Sequence, residues 1–413
     1  MRLLLIIICF FQLSVVFVYA KDADSKVSDG NVVKISAING ENKPFDSPDL
    51  LQYEDVKFVP LETNDSCFLS ENLQELLIKD SYIFFLDGKK EGALYSFDRN
   101  TGKFLCKIGQ HGSGPGEYIS LNSFFYDKKR ETITIIDIMK NAFYIYGLNG
   151  VFKEKKGVPS DLIRNVYHSI LLDNETLLFN NWINMDAENT AYLLFKRNNA
   201  KILAKKSYHP IIVSHYRYAF SSSPMVQIGD RVNFIMPLCD TIFTCYNGQF
   251  IPLYVIEHRG EMAPKEKFVT SPKNYYPSLL DTYGYKGYFT GFDNYCETND
   301  YILLGLQDYR SDMRIGAGCL VSKQKKKGAY FVYTFESDKV INTMQDIPFR
   351  YIRTCAGDYF VGCCTPEDLL SLKISPTTKD PVVKRLQDVI DNLQEDDNPV
   401  LIFYKLKDCF DEK

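Results

Sequence analysis

Six segments of this chain share one pattern: a strand-like run, a short turn that usually carries Asp, Asn or Gly, and a second run rich in β-branched and aromatic residues. They read LLIKDSYIFFLD (76–87), SFFYDKKRETITIID (123–137), HSILLDNETLLFNN (168–181), PMVQIGDRVNFIMP (224–237), DNYCETNDYILLGL (293–306) and YIRTCAGDYFVGCC (351–364). Each is the pattern of a β-hairpin. A third run with an alternating aromatic follows most of them: ALYSFD from Ala93, AFYIYG from Ala142, AYLLFK from Ala191, TIFTCY from Thr241 and AYFVYTF from Ala329. A fourth run is clearest in GKFLCKIG from Gly102, GVFKEKKG from Gly150, AKILAKKS from Ala200 and GQFIPLYVIEHRG from Gly248. Four short antiparallel strands recurring every 45–70 residues or so predict an all-β fold, a six-bladed β-propeller, rather than a sandwich.

Helical spacing is confined to the end of the chain. Pro381 to Gln394 carries Val382, Val383, Leu386, Val389, Ile390 and Leu393 on one face, which predicts an amphipathic helix over 381–394. Leu369 to Ile374 reads as another short helical turn. Asn398-Pro399 then stops the helix, and VLIFYKL (400–406) reads as a strand. The sixth repeat has only its hairpin, so 400–406 is expected as its third strand. Its fourth is expected from one of two spare N-terminal runs, NVVKIS (31–36) or VKFVPLE (56–62). Closure by both chain ends removes an open sheet edge. The division expected is a signal peptide over 1–20, an N-terminal extension over 21–55, and one propeller domain over 56–413.

At the junction of the first two repeats, GKFLCKIGQHGSGPGEY (102–118) resembles the motif of the bacterial six-bladed β-propeller family, exported proteins similar to NHL-repeat propellers. VKFVPLET near the start, LCDTIFTCYNGQF (238–250) and LQEDDNPVLIFYKLK (393–407) resemble its recurring segments, so the likeness covers nearly all of the mature chain. The resemblance implies the fold, an exported protein of the cell envelope and no assigned catalytic residues.

Arg2 followed by the apolar run Leu3 to Phe11, with Val18-Tyr19-Ala20 before Lys21-Asp22, reads as a signal peptide cleaved after Ala20. Export to the periplasm or cell surface is therefore expected. A lipid anchor on Cys9 is disfavoured because Ile8 stands where a small residue is wanted. No later run reaches the length of a spanning helix. The net charge of −4, without a dominant block, argues against nucleic acid as a partner, and the run Lys323 to Lys327 reads as a solvated turn. A monomer is expected. Eleven cysteines invite disulfides in an exported chain, but Cys106, Cys245, Cys319 and Cys363 sit in apolar runs as small hydrophobes, so at most one or two bridges are expected.

The Gly-rich segment Gly109 to Tyr118 lacks the Lys-Ser/Thr and following helix of a phosphate loop and opens no helix as a dinucleotide loop must. It reads as a tight crossover between blades, held by Glu117 bonding loop N–H groups. In a propeller this crossover shares a face with the ends of the second strands, so His111, Glu117 and Tyr118 are expected at one channel mouth with Asp87, Asp137, Asn181, Trp182 and Asp240. The insertion Glu261 to Phe292 joins that face, and among its tyrosines (Tyr275, Tyr276, Tyr283, Tyr285, Tyr288) the last three are candidate contacts for a glycan or an envelope protein.

Asp87, Asp137, Asn181 and Asp240 also imitate the channel carboxylates and amides of a calcium- or zinc-dependent lactonase. The simpler reading is that each Asp caps its own turn. No HExxH, Gly-x-Ser-x-Gly or sialidase box occurs, and the histidines have no metal-ligand spacing. The sequence therefore reads as a binding or scaffold module with no cofactor, and a calcium- or zinc-dependent lactonase or lyase as the alternative. Mass spectrometry of the exported protein is expected to find Lys21 at its N-terminus; a diacylated cysteine there overturns the cleavage assignment.

Overall fold

The computed structural model describes residues 33–36, 45–46, 50–70, 73–88, 92–181, 189–208, 224–236, 239–257, 291–306, 317–332, 339–407 and 409–410. The expected signal peptide, Trp182 and the tyrosines of the insertion lie outside them.

Six four-stranded antiparallel blades form a ring. Blade one is Leu73–Lys79, Tyr82–Asp87, Ala93–Asp98 and Phe104–Ile108; blade two is Ser123–Asp127, Thr132–Asp137, Ala142–Gly147 and Phe152–Gly157. Blade three is Val166–Leu171, Thr176–Asn181, Thr190–Lys196 and Ile202–Ser207; blade four is Met225–Ile228, Arg231–Phe234, Thr241–Tyr246 and Gln249–Glu257. Blade five is Phe292–Glu297, Tyr301–Leu306, Ala317–Ser322 and Lys327–Val332. First strands touch one another between blades two and three, four and five, five and six, and six and one.

Blade six joins the two chain ends. Ile352–Ala356 and Tyr359–Cys364 are followed by Val400–Leu406, and Tyr53–Pro60 lies antiparallel outside it, with Ile402 opposite Phe58. The closing strand is thus the second of the two spare runs, beginning three residues earlier than its apolar pattern suggests. The other run has a different task. Val33–Ser36 lies parallel to the outer strand of blade four, from Val33 opposite Tyr254 to Ser36 opposite Glu257, and touches Lys327 of blade five. Together with Phe45–Asp46, which pairs with Phe331 and Val332, it covers two outer edges that repeat counting leaves bare.

Three expectations shift. AYFVYTF falls in the fourth strand of blade five, because the third strand, Ala317–Ser322, is small and aliphatic and lacks the aromatic alternation used to find it. The short helix is Pro366–Leu370, earlier than 369–374, because Thr365 caps it and Pro366 starts it; Lys373–Ile374 instead pairs with Val340–Ile341. The long helix is Pro381–Asp391, capped where Asp380 accepts from Val382 N (2.8 Å). It buries Val382, Val383 and Leu386 in the apolar layer of blade six.

The core is divided into six apolar clusters, one at each interface between blades. Phe84, Phe124 and Tyr144 pack between blades one and two, and Phe125, Phe179 and Phe195 between two and three. Tyr192 and Phe234 fill the next layer, Tyr295 and Ile302 the fourth, Phe331, Phe360 and Tyr404 the fifth, and Phe97 and Phe403 the sixth. The last one, between blades six and one, is where closure is made. There the buried Asn398 side chain accepts from Leu69 N (2.8 Å) and donates to Glu62 O (2.7 Å) and Cys67 O (2.8 Å).

Asn398→Ala strips the buried Leu69 N of its acceptor and removes the donors to Glu62 O and Cys67 O, and is expected to lower stability by about 2 kcal/mol, measured by denaturant titration. Deleting residues 399–413 removes a strand held on both sides and is expected to abolish the cooperative thermal transition; a truncated chain melting at the same temperature as the whole overturns the closure.

Candidate functional site

A hollow of about 720 Å³ is the axial channel. It is walled by the first strands of all six blades and reaches the first hairpin turns: Asp80, Lys128, Asn174, Gly229, Asn299 and Gly357. A volume of this size is that of a small-molecule site. The walls are about half polar and half apolar.

Most carboxylates of this cavity have a cation of their own. Asp80 pairs with Lys128 (2.7 Å) and accepts from Tyr126, and those contacts hold its carboxyl below the usual range, the lysine contributing most. Asp127 is buried against Arg197 (2.7 Å), and Glu297 against Lys323 (2.7 Å). Lys323, expected in a solvated turn, thus reaches a buried acid. Asp173 faces Lys196 at 3.6 Å.

Cations remain after these pairings. Lys79, Arg99, Lys129 and Arg353 line the cavity, and among the described residues none of them has a carboxylate within 4 Å. Lys79 of blade one reaches across to Gln227 of blade four, 3.2 Å away. Blades one and four are opposite in a ring of six, so this contact bridges the channel. Burial holds the Lys79 ammonium below its ordinary pKa. Deeper in the wall, His168 Nδ1 stands 3.4 Å from Glu75 Oε2. The other ring nitrogen is covered and has no hydrogen-bond partner among the described residues.

The residues expected at the opposite mouth are largely occupied by the fold. Asp137 is fully buried and accepts from Ile119 N (2.7 Å), Ser120 Oγ (2.9 Å), Met139 N and Lys140 N (both 3.0 Å). Asp87 accepts from Ser70 N (2.7 Å) and the Ser70 hydroxyl. Asp240 accepts from Thr241 Oγ1 (2.9 Å), and Asn181 donates to Thr190 O (3.2 Å). Glu117 accepts from Gly114 N (2.7 Å), the buried Tyr118 donates to Gly92 O (3.2 Å), and the His111 ring lies edge-on to Tyr118.

The Gly-rich crossover is built from within. Gly116 has φ +78°, and a Cβ there would lie 2.7 Å from Phe152 Cγ. Tyr146 donates to Gly116 O (2.7 Å) and Lys140 to Glu117 O (3.0 Å). The structure brings Asp137 and the crossover together through Ile119 and Ser120. Among the described residues no group of three or more His, Cys, Asp and Glu side chains is disposed to hold a metal ion, and no helix is long and apolar enough to cross a membrane.

Fold and cavity together define a six-bladed β-propeller with an axial pocket that carries charged side chains. The chain belongs to the family described as Domain of unknown function (DUF4934), whose model matches residues 30–405. In solved structures it is similar to a Bacteroides fragilis NCTC 9343 protein named provisionally as exported, with 20% identity, a TM-score of 0.68, and 91% of this chain and 99% of that one covered. It is also similar to a member of the duf4221 family from Bacteroides vulgatus, with 8% identity, a TM-score of 0.49, and 86% and 97% covered. No curated protein sequence matches the chain.

Asp137→Ala withdraws an acceptor shared by three backbone N–H groups and a hydroxyl. A loss of about 2–4 kcal/mol in unfolding free energy is expected, read by denaturant titration; an unchanged midpoint shows that the crossover does not depend on it.

Proposed function

We propose that this chain is a non-enzymatic binding module of the bacterial envelope, and that its ligand is a small acidic molecule, an acidic sugar of an envelope or dietary glycan, held in the axial cavity. The carrying observation is the charge left over there: most of the carboxylates are matched, while Lys79, Arg99, Lys129 and Arg353 have no carboxylate within 4 Å among the described residues. An ammonium partly withdrawn from water with no carboxylate within 4 Å among the described residues is costly, and an anion at Lys79 restores what burial removed. Export is supported by the N-terminal apolar run and by the name of the Bacteroides fragilis protein. Kinship with NHL-like propellers is supported by the GPGEY segment (114–118).

Isothermal titration calorimetry with glucuronate, inorganic phosphate and neutral glucose tests this reading. Glucuronate is expected to bind and glucose not. Lys79→Met is expected to weaken glucuronate at least about tenfold, or 1.4 kcal/mol, with the fold intact. Because the bound anion favours the charged amine, affinity is greatest below the lowered pKa of Lys79 and falls as pH rises through it. Equal affinity in the variant, or no heat from either anion at millimolar concentration, overturns the assignment of ligand class.

A further inference from the structure

Cys296 and Cys355 are the penultimate residues of the innermost strands of blades five and six. Two contacts hold those strands side by side: Asn294 Nδ2 donates to Ile352 O (3.2 Å), and Cys355 Sγ donates to Glu297 O (3.0 Å). The second places the Cys355 sulfur against the residue that follows Cys296, and the two side chains share one apolar cluster. Their positions differ in one respect. Cys296 is fully buried, whereas Cys355 is half-buried and forms part of the cavity wall with Lys79.

We propose that Cys296 and Cys355 are a modification site, a dithiol that closes to a disulfide across the interface of blades five and six by exchange with an external disulfide entering the axial cavity. Cys355, the sulfur reachable from the cavity, attacks one sulfur of the incoming disulfide after losing its proton to water. One thiolate leaves, and Cys355 carries a mixed disulfide. Cys296, deprotonated in turn, attacks the Cys355 sulfur and expels the second thiolate. The protein dithiol is oxidised by two electrons, the external disulfide is reduced to two thiols, and the two protons end on those thiols at neutral pH.

The surroundings divide the roles in the same way. The interaction between the two thiols pushes Cys355 down and Cys296 up, and the nearby Lys79 charge also favours the Cys355 thiolate. By contrast, burial pushes Cys67, Cys245, Cys319, Cys363 and Cys364 up to about 12. Those five are built-in controls, since a thiol with so raised a pKa exchanges slowly.

The test uses the whole mature chain incubated with oxidised glutathione, alkylated in the folded state and mapped by mass spectrometry without reduction. A peptide pair linked through Cys296 and Cys355 is expected, and dithiothreitol removes it. In Cys296→Ser, Cys355 is expected to retain glutathione, having nothing to resolve it; in Cys355→Ser, Cys296 is expected to stay unmodified. Glutathione retained on Cys355 of the unaltered protein, a link to a different cysteine, or no reaction at either sulfur overturns the proposal. If a variant fails to fold, the map of the unaltered protein still decides.

Discussion

A four-stranded blade of this protein is apolar on both faces, and neither face is covered until a neighbouring blade packs against it. Everything else in the structure follows from that requirement. A row of stacked sheets leaves two apolar faces at its ends, and bending the row into a ring is what covers them. The six apolar clusters lie between blades, with none inside a single blade. No blade is therefore a stable unit by itself, and stability is shared around the ring. The strand from the N-terminus in blade six is consequently part of the core, although it lies over three hundred residues from its partner in sequence.

The same arrangement separates support from candidate chemistry. At one end of the channel, where fourth strands cross to the next first strand, the chain must turn sharply and leave backbone N–H groups without sheet partners. Asp87, Asp137, Glu117 and the glycines are consumed in satisfying those turns. At the other end the turns are two-stranded hairpins that need little help, so the innermost strands can direct charged side chains into open space. That is why unmatched cations collect on the hairpin side, around Lys79 and Arg353.

Kinship and geometry contribute different things. Membership of the DUF4934 family and the likeness to a Bacteroides fragilis protein agree with the fold over almost the whole chain. At 20% identity that likeness speaks for the backbone alone, and propellers serve many unrelated functions. The functional reading therefore rests on the channel's own residues, above all on a lysine that crosses to the opposite blade and has no carboxylate within 4 Å among the described residues.

The sequence by itself determined the number of blades, the hairpin that opens each, the C-terminal helix and the use of both chain ends in closure. Alternation, turn residues and helical spacing are local, and they are written in consecutive residues. It also carried the capping role of Asp137, since an acid two residues before a turn amide satisfies it locally. The tertiary structure alone decided which N-terminal run closes blade six and which one bridges blades four and five. Both runs alternate alike, and only the free outer edges distinguish them. Likewise Lys79 and Gln227, or Cys296 and Cys355, carry no mark in the sequence of being neighbours. Each pair meets because the ring brings the first strands of separate repeats around one axis, a distance that no pattern along the chain records.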